Sequence, residues 1–162
     1  MKMLLSLLMI MSALCVQSQS DFFHIFRKYK NDEGVYYIDL SNQFRKIKAN
    51  DSKLETTIDA ADIYLFHDSQ DVATKDKDKL QQLISSRNLD LLVDVKANKT
   101  HSKLYVVDKG KYLEEMVGIV HTDNVNVYFF AKGHIFFNEL SKLGLDFQSG
   151  GELDVLKRIK KR

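Results

Sequence analysis

Five histidines, at positions 24, 67, 101, 121 and 134, are the side chains of this 162-residue chain best suited to proton transfer or metal binding. No two stand four residues apart and no His-Glu-x-x-His string occurs, so a zinc site would have to draw its ligands from distant segments. The strongest local combination is His121 with Asp123, joined by His134 across the next hairpin, because a strand end can present an imidazole beside a carboxylate. The plainer reading is a polar strand end at a turn, since His is an ordinary surface residue, and neither a metal nor a cofactor is expected. Asp32-Glu33 has the residue types for acid/base catalysis, but neighbours in a turn point apart, whereas that chemistry needs convergent carboxylates with displaced pKa values. Glu114-Glu115 sits within a strand pattern, where successive side chains alternate faces, so one of the two should point inward or mark a sheet end. No Gly-x-Ser-x-Gly elbow and no Gly-x-x-x-x-Gly-Lys phosphate loop occurs, and no catalytic residue is assigned.

The elements that must hold these side chains follow from hydrophobic periodicity. Asp21 to Lys30 reads as a short helix, with Phe22, Phe26 and Tyr29 on one stripe broadened by Phe23, and Asn31-Asp32-Glu33-Gly34 as the turn that ends it. Val35 to Leu40 is a β-branched and aromatic strand, after which Ser41 is placed to cap a helix through Phe44 and Ile47. Ala49 to Asp62 is ambiguous, since Leu54, Thr57, Ile58 and Ala61 keep a helical spacing in a polar setting; Ile63 to Phe66 reads as a short strand. A helix from about Thr74 carries Leu80, Leu83 and Ile84, and four strands follow: Asp90 to Lys96, Lys103 to Asp108, Tyr112 to His121 and Val125 to Ala131. In the first of these, Leu91, Val93 and Val95 alternate with Asp90, Asp94 and Lys96, the pattern of a strand with one buried face. A last helix is expected over Phe136 to Leu145, with Gly144 as terminator. Crossover helices permit parallel pairs early and tight turns force antiparallel pairs later. The expected fold is therefore an α+β two-layer sandwich, with a mixed, mostly antiparallel sheet of about six strands and helices mainly on one face.

Composition narrows the partners. A net charge of +2 lacks the basic excess of a nucleic-acid surface, and a single Cys excludes both a disulfide scaffold and a cysteine metal site. Lys2 followed by the uncharged run Met3 to Val16 resembles a secretory signal, being too short to span a bilayer. Cleavage is expected after Ser18 or Ser20. The alternative is a lipoprotein signal with Cys15 as the first mature residue, against which stands the bulky Leu14 just before it. The organisation is then a signal over residues 1–20, a single α+β domain over 21–150 and a basic tail over 151–162.

Phe22-Phe23, then Tyr29-Lys30-Asn31-Asp32-Glu33-Gly34-Val35, a strand ending at Ser41, and Leu91-Leu92-Val93-Asp94-Val95 leading into Lys103-Leu104-Tyr105-Val106 resemble domain-of-unknown-function family 4252. The resemblance extends over nearly all of the chain past residue 20, including Gly133 and an amphipathic segment at Leu140 and Leu143. It implies a small bacterial envelope protein, periplasmic or secreted, of α+β fold, and brings no catalytic residues with it.

Two features suit binding. The chain ends Lys157-Arg158-Ile159-Lys160-Lys161-Arg162 behind Leu153 and Leu156, a basic amphipathic end of the kind that attaches to anionic lipid; a solvated terminus is the plainer reading. Ten Phe and seven Tyr cluster in adjacent pairs along the strands, where neighbours face opposite sides. If one sheet face is open, some of Tyr36, Tyr128 and Phe130, or else Tyr37 and Phe129, lie on it and suit protein recognition; if both faces are covered, they fill cores. The function expected is a non-catalytic envelope binding or interaction module with a protein partner. A small-ligand or lipid carrier, or a hydrolase-type enzyme, is the alternative.

Overall fold

The computed structural model describes residues 21–140 apart from residue 69, together with residue 142. The signal-like segment 1–20, the basic tail with Lys157, Arg158, Lys160, Lys161 and Arg162, and the far end of the helix expected over Phe136 to Leu145 lie outside the described residues.

Helix α1 (Phe22–Phe26) begins where the Asp21 carboxylate accepts the backbone N–H of His24 at 2.8 Å, satisfying a donor that the first turn leaves free. It tightens into a 3-10 turn over Arg27–Asn31, and Gly34 takes the left-handed conformation, φ 77°, that turns the chain into β1 (Val35–Asp39). Helix α2 (Ser41–Asn50) follows at once. Ser41 does not cap it as its residue type suggested. The Asp39 carboxylate accepts the Ser41 backbone N–H at 2.8 Å, while the Ser41 hydroxyl accepts the Ala61 N–H at 3.0 Å and ties the helix to the next strand. Strand β2 (Thr57–His67) is far longer than its apolar end predicted. A bulge between Ile58 and Ala60 brings Ile58 and Ala61 to the same core face, which turns a two-residue period into a helix-like spacing of three. Helix α3 (Thr74–Ser86) is followed by a meander of β3 (Asp90–Ala97), β4 (Thr100–Asp108), β5 (Leu113–His121) and β6 (Val125–Ile135), and a 3-10 turn over Phe137–Glu139.

The six strands form one sheet in the order β1-β2-β6-β5-β4-β3, and all five pairings are antiparallel. The molecule is an α+β sandwich, but the expected parallel pair does not form. Helix α2 packs over the start of β2, which overhangs β1, so the chain re-enters the sheet at the end where it left and β2 runs back along β1. Helix α3 does carry the chain to a strand running the same way as β2, namely β3, but β6, β5 and β4 fill the space between them.

Of the three α-helices among the described residues, α1 and α3 share one face, where Phe26 lies 4.6 Å from Phe130, 5.0 Å from Tyr128 and 5.4 Å from Tyr64 between ring centroids. The other face, under α2, buries Leu40, Phe44, Ile63, Leu104, Met116 and Phe129. It is closed at one end by Glu139, whose carboxylate accepts the backbone N–H groups of Glu55 and Thr56 at 3.2 and 2.9 Å. Where β2 and β6 cross most closely, a Cβ at Gly133 would stand 2.1 Å from the Thr57 carbonyl oxygen, so only glycine fits.

Strand β3 departs from expectation. Its alternation predicted one buried face, yet Leu91 is 50%, Leu92 44% and Val95 42% exposed, with only Val93 packed against the core. It is an edge strand, and a bulge between Leu91 and Val93 breaks the alternation.

Candidate functional site

On the face that carries α3, the antiparallel register of β4 and β5 sets His101 directly opposite His121, two rows from Tyr105 opposite Val117. Opposed side chains on one sheet face stand about 5 Å apart at Cβ. With Lys77, Leu80 and Gln81 of α3 above, and Lys103, Tyr105, Ile119 and Tyr128 on the sheet, the two histidines line a groove of about 280 Å³.

Each ring has one nitrogen committed. His101 Nε2 lies 2.6 Å from Asp94 Oδ1; a carboxylate only accepts, so Nε2 is the donor and Nδ1 is left free. The hydrogen bond from His101 is also what chiefly holds the Asp94 carboxyl below its ordinary value. His121 Nδ1 lies 2.8 Å from Asn126 Oδ1, and the Asn126 amide nitrogen donates to the Gln70 carbonyl at 2.9 Å. That second bond orients the amide, so His121 Nδ1 is the donor and, in the neutral ring, Nε2 is an acceptor. One wall is stiffened by Asp71, which accepts the Tyr128 hydroxyl and the Lys77 ammonium, each at 2.6 Å. Burial opposes the Asp71 charge, but those two hydrogen bonds, with the Val72 backbone N–H and the charge of Lys77, outweigh it and hold its carboxyl below the ordinary 3.8, while burial pushes the Tyr128 hydroxyl far up. The groove thus offers two uncommitted ring nitrogens and the Lys103 ammonium over an aromatic floor, a set that suits an anionic group bearing a hydrogen-bond donor.

A second polar hollow, about 400 Å³, lies between α1 and the β1–β2 pair, lined by His24, Arg27, Lys30, Tyr37, Asp62 and Tyr64. Burial raises the Asp62 carboxyl although the Tyr37 hydroxyl donates to it at 3.0 Å; burial and that bond push Tyr37 up to about 12.

The residues singled out from sequence are distributed differently. His121, Asp123 and His134 do not meet. Asp123 pairs with Lys99, and His134 stacks on Tyr112 at 4.2 Å, at the opposite end of the β5–β6 hairpin. Among the described residues no three His, Cys, Asp or Glu side chains are grouped to hold a metal. Asp32 and Glu33 are exposed in the turn. Glu115 is the inward member of its pair, held by Arg87 at 2.9 and 2.8 Å, while Glu114 pairs with Lys109 at 3.1 Å.

The aromatic reading is corrected in part. Tyr36 is 62% exposed, edge-on to His67 at 5.0 Å, but Tyr128 and Phe130 are 1% exposed and lie on the other face, under α1 and α3. Helices cover both faces, so apart from Tyr36 the two aromatic sets are closed off, with Tyr37 half-buried and Phe129 fully buried. What is exposed is an edge: the long outer side of β3, unpaired among the described residues, with Leu91, Leu92 and Val95 around it. Asp94 joins that edge to the groove through His101. The cross-strand histidine pair left no mark in linear spacing, because twenty residues and a hairpin separate its members; the β4–β5 turn, read as a register, was the one signal that could have found it.

No family profile, no curated protein and no solved structure matches this chain.

Proposed function

We propose that the protein is a non-catalytic binding module of the bacterial envelope, exported through its N-terminal apolar run, that docks an extended protein segment along the outer edge of β3. The carrying observation is that edge: an eight-residue strand with no outer neighbour among the described residues and three large apolar side chains exposed. Unpaired backbone groups beside exposed leucine offer a partner both ladder hydrogen bonds and apolar area, the two components of strand addition. The resemblance to family 4252 and the signal-like residues 2–16 support the location. Contact of Lys157, Arg158, Lys160, Lys161 and Arg162 with anionic lipid belongs to the same proposal, and vesicle flotation with those residues deleted tests it.

The docking test is a photo-crosslinking residue at Leu92, compared with one at exposed Lys53, in the intact envelope of the protein's own cells. Stoichiometric protein adducts from position 92 alone are expected; equal capture at both positions, or none, sinks the reading.

The groove favours a second reading, a small-ligand carrier, because Lys103 suits a carboxylate or phosphate and His121 Nε2, an acceptor in the neutral ring, suits a hydroxyl or amine donor on the same compound. Native mass spectrometry should then show a co-purifying small acid that Lys103→Ala and His121→Gln each release.

A further inference from the structure

We infer that the strand docked on β3 is β3 of a second copy of this chain, paired antiparallel in one register with Val95 on the two-fold axis. The inference rests on the proposal that β3 is the docking edge and goes on to name the occupant.

The register follows from ladder phase and charge. A two-residue turn, Asn98-Lys99 with Asn98 at φ 52°, closes on the Ala97–Thr100 pair, so Ala97 turns its N–H and C=O inward to β4. Along a strand these directions alternate. Val95 and Val93 therefore also face inward, and Asp94 and Lys96 turn their backbone groups out to the free edge. An antiparallel partner must match outward residues with outward residues. Setting Asp94 opposite itself, or Lys96 opposite itself, confronts like charges at the axis. Setting Asp94 opposite Lys96 of the partner subunit makes two opposite-charge pairs related by the two-fold, with four backbone hydrogen bonds. A register that instead sets Asp90 opposite Lys96 crosses the bulge between Leu91 and Val93, where the ladder is broken.

The faces agree with this choice. Asp94 and Lys96 oppose Lys103 and His101 on β4, so both charged pairs fall on the groove side. On the other side the half-exposed Val95 meets its own copy, and Val93 meets Ala97 of the partner subunit. The edge segment Val93 to Ala97 is thus self-complementary in charge, backbone direction and apolar content at once. The two sheets would join into one of twelve strands, and the Asp94 that orients His101 would itself be clamped by Lys96 of the partner subunit. Each groove would then open beside the dimer axis.

Two measurements on the protein purified from its own cells test this. In sedimentation, the unsubstituted chain should dimerise. Asp94→Lys and Lys96→Asp should each weaken the dimer about tenfold or more by confronting like charges. A one-to-one mixture of the two variants should form a heterodimer, because it restores opposite charges at both pairs. Separately, Val95→Cys should form an intermolecular disulfide under mild oxidation, since position 95 alone meets itself, and Asp94→Cys and Lys96→Cys should do so far less. A chain that stays monomeric, variants that fail to rescue each other together with equal crosslinking at 94, 95 and 96, or a dimer indifferent to all of them would overturn the inference. If the chain is monomeric and Leu92 still crosslinks a different protein, self-pairing is wrong and docking at β3 stands.

Discussion

The two edges of the sheet are built differently. At the β1 edge the strand is five residues long, Lys30 lies over the Tyr37 ring at 4.2 Å, His67 packs against Tyr36, and Asp39 is spent on the start of α2. Behind it the molecule is cross-braced: buried Asp76 of α3 accepts the Lys28 ammonium at 2.5 Å and the Tyr29 hydroxyl at 2.7 Å, and that hydroxyl accepts the Ala73 N–H at 2.9 Å. The β3 edge is eight residues long and exposes leucine and valine. Proteins blunt free edges with short strands, charge and bulges. This one uses a short strand at β1, and at β3 a bulge, which leaves Val93 to Ala97 beyond it regular and available. One end of the sheet is thus braced by helix and side-chain contacts, and the other is left exposed.

The contrast sharpens if substitutions at the braced end cost folding while those at β3 cost association. Phe26→Ala, at a ring with no exposed surface in the aromatic cluster, should lower unfolding free energy by about 3–5 kcal/mol in urea titration. Asp76→Ala should cost about 2–3 kcal/mol, since it strands the Tyr29 hydroxyl and releases a half-exposed lysine. Its pH signature has a definite sign. Burial works against the Asp76 charge, but the hydrogen bonds from Lys28 and Tyr29 outweigh it and hold the carboxyl below 3.8. The stability it contributes is therefore fully present above that value and is lost as pH falls through the lower folded value; acid titration of the variant should be correspondingly flatter. Gly133→Ala, forcing a Cβ against the Thr57 carbonyl, should cost about 2–3 kcal/mol and raise hydrogen exchange in β2. Leu92→Thr should change monomer stability by less than about 0.5 kcal/mol while reducing photo-crosslinking from a probe placed at Leu91. A large loss of folding stability there would mean that Leu92 supports the fold and is not a contact residue.

Much of the fold was legible in the chain. The stripe of Leu80 and Ile84 marks α3, and Gly34 and Gly110, both at positive φ, mark turns between elements. In Ala49 to Asp62 and in β3 alike a bulge shifts the period on which strand recognition depends, and in β3 the edge position adds to it, since Val95 keeps the phase of Val93 and is still half-exposed. The candidate groove was less legible. His121 stands out in the sequence beside Asp123, whereas its neighbours in the fold, Asn126 and His101, reach it across hairpin registers and not along the chain.

Local properties of the chain, namely apolar period, turn residues and charge balance, are enough to place elements and to make an α+β sandwich the expectation, because each acts over a few neighbouring residues. Strand order, register and which face a helix covers depend on contacts between residues far apart in sequence, and their energies exist only once the sheet has closed. The tertiary arrangement therefore chose an all-antiparallel sheet, buried Tyr128 and Phe130, set His101 opposite His121, and left β3 outermost.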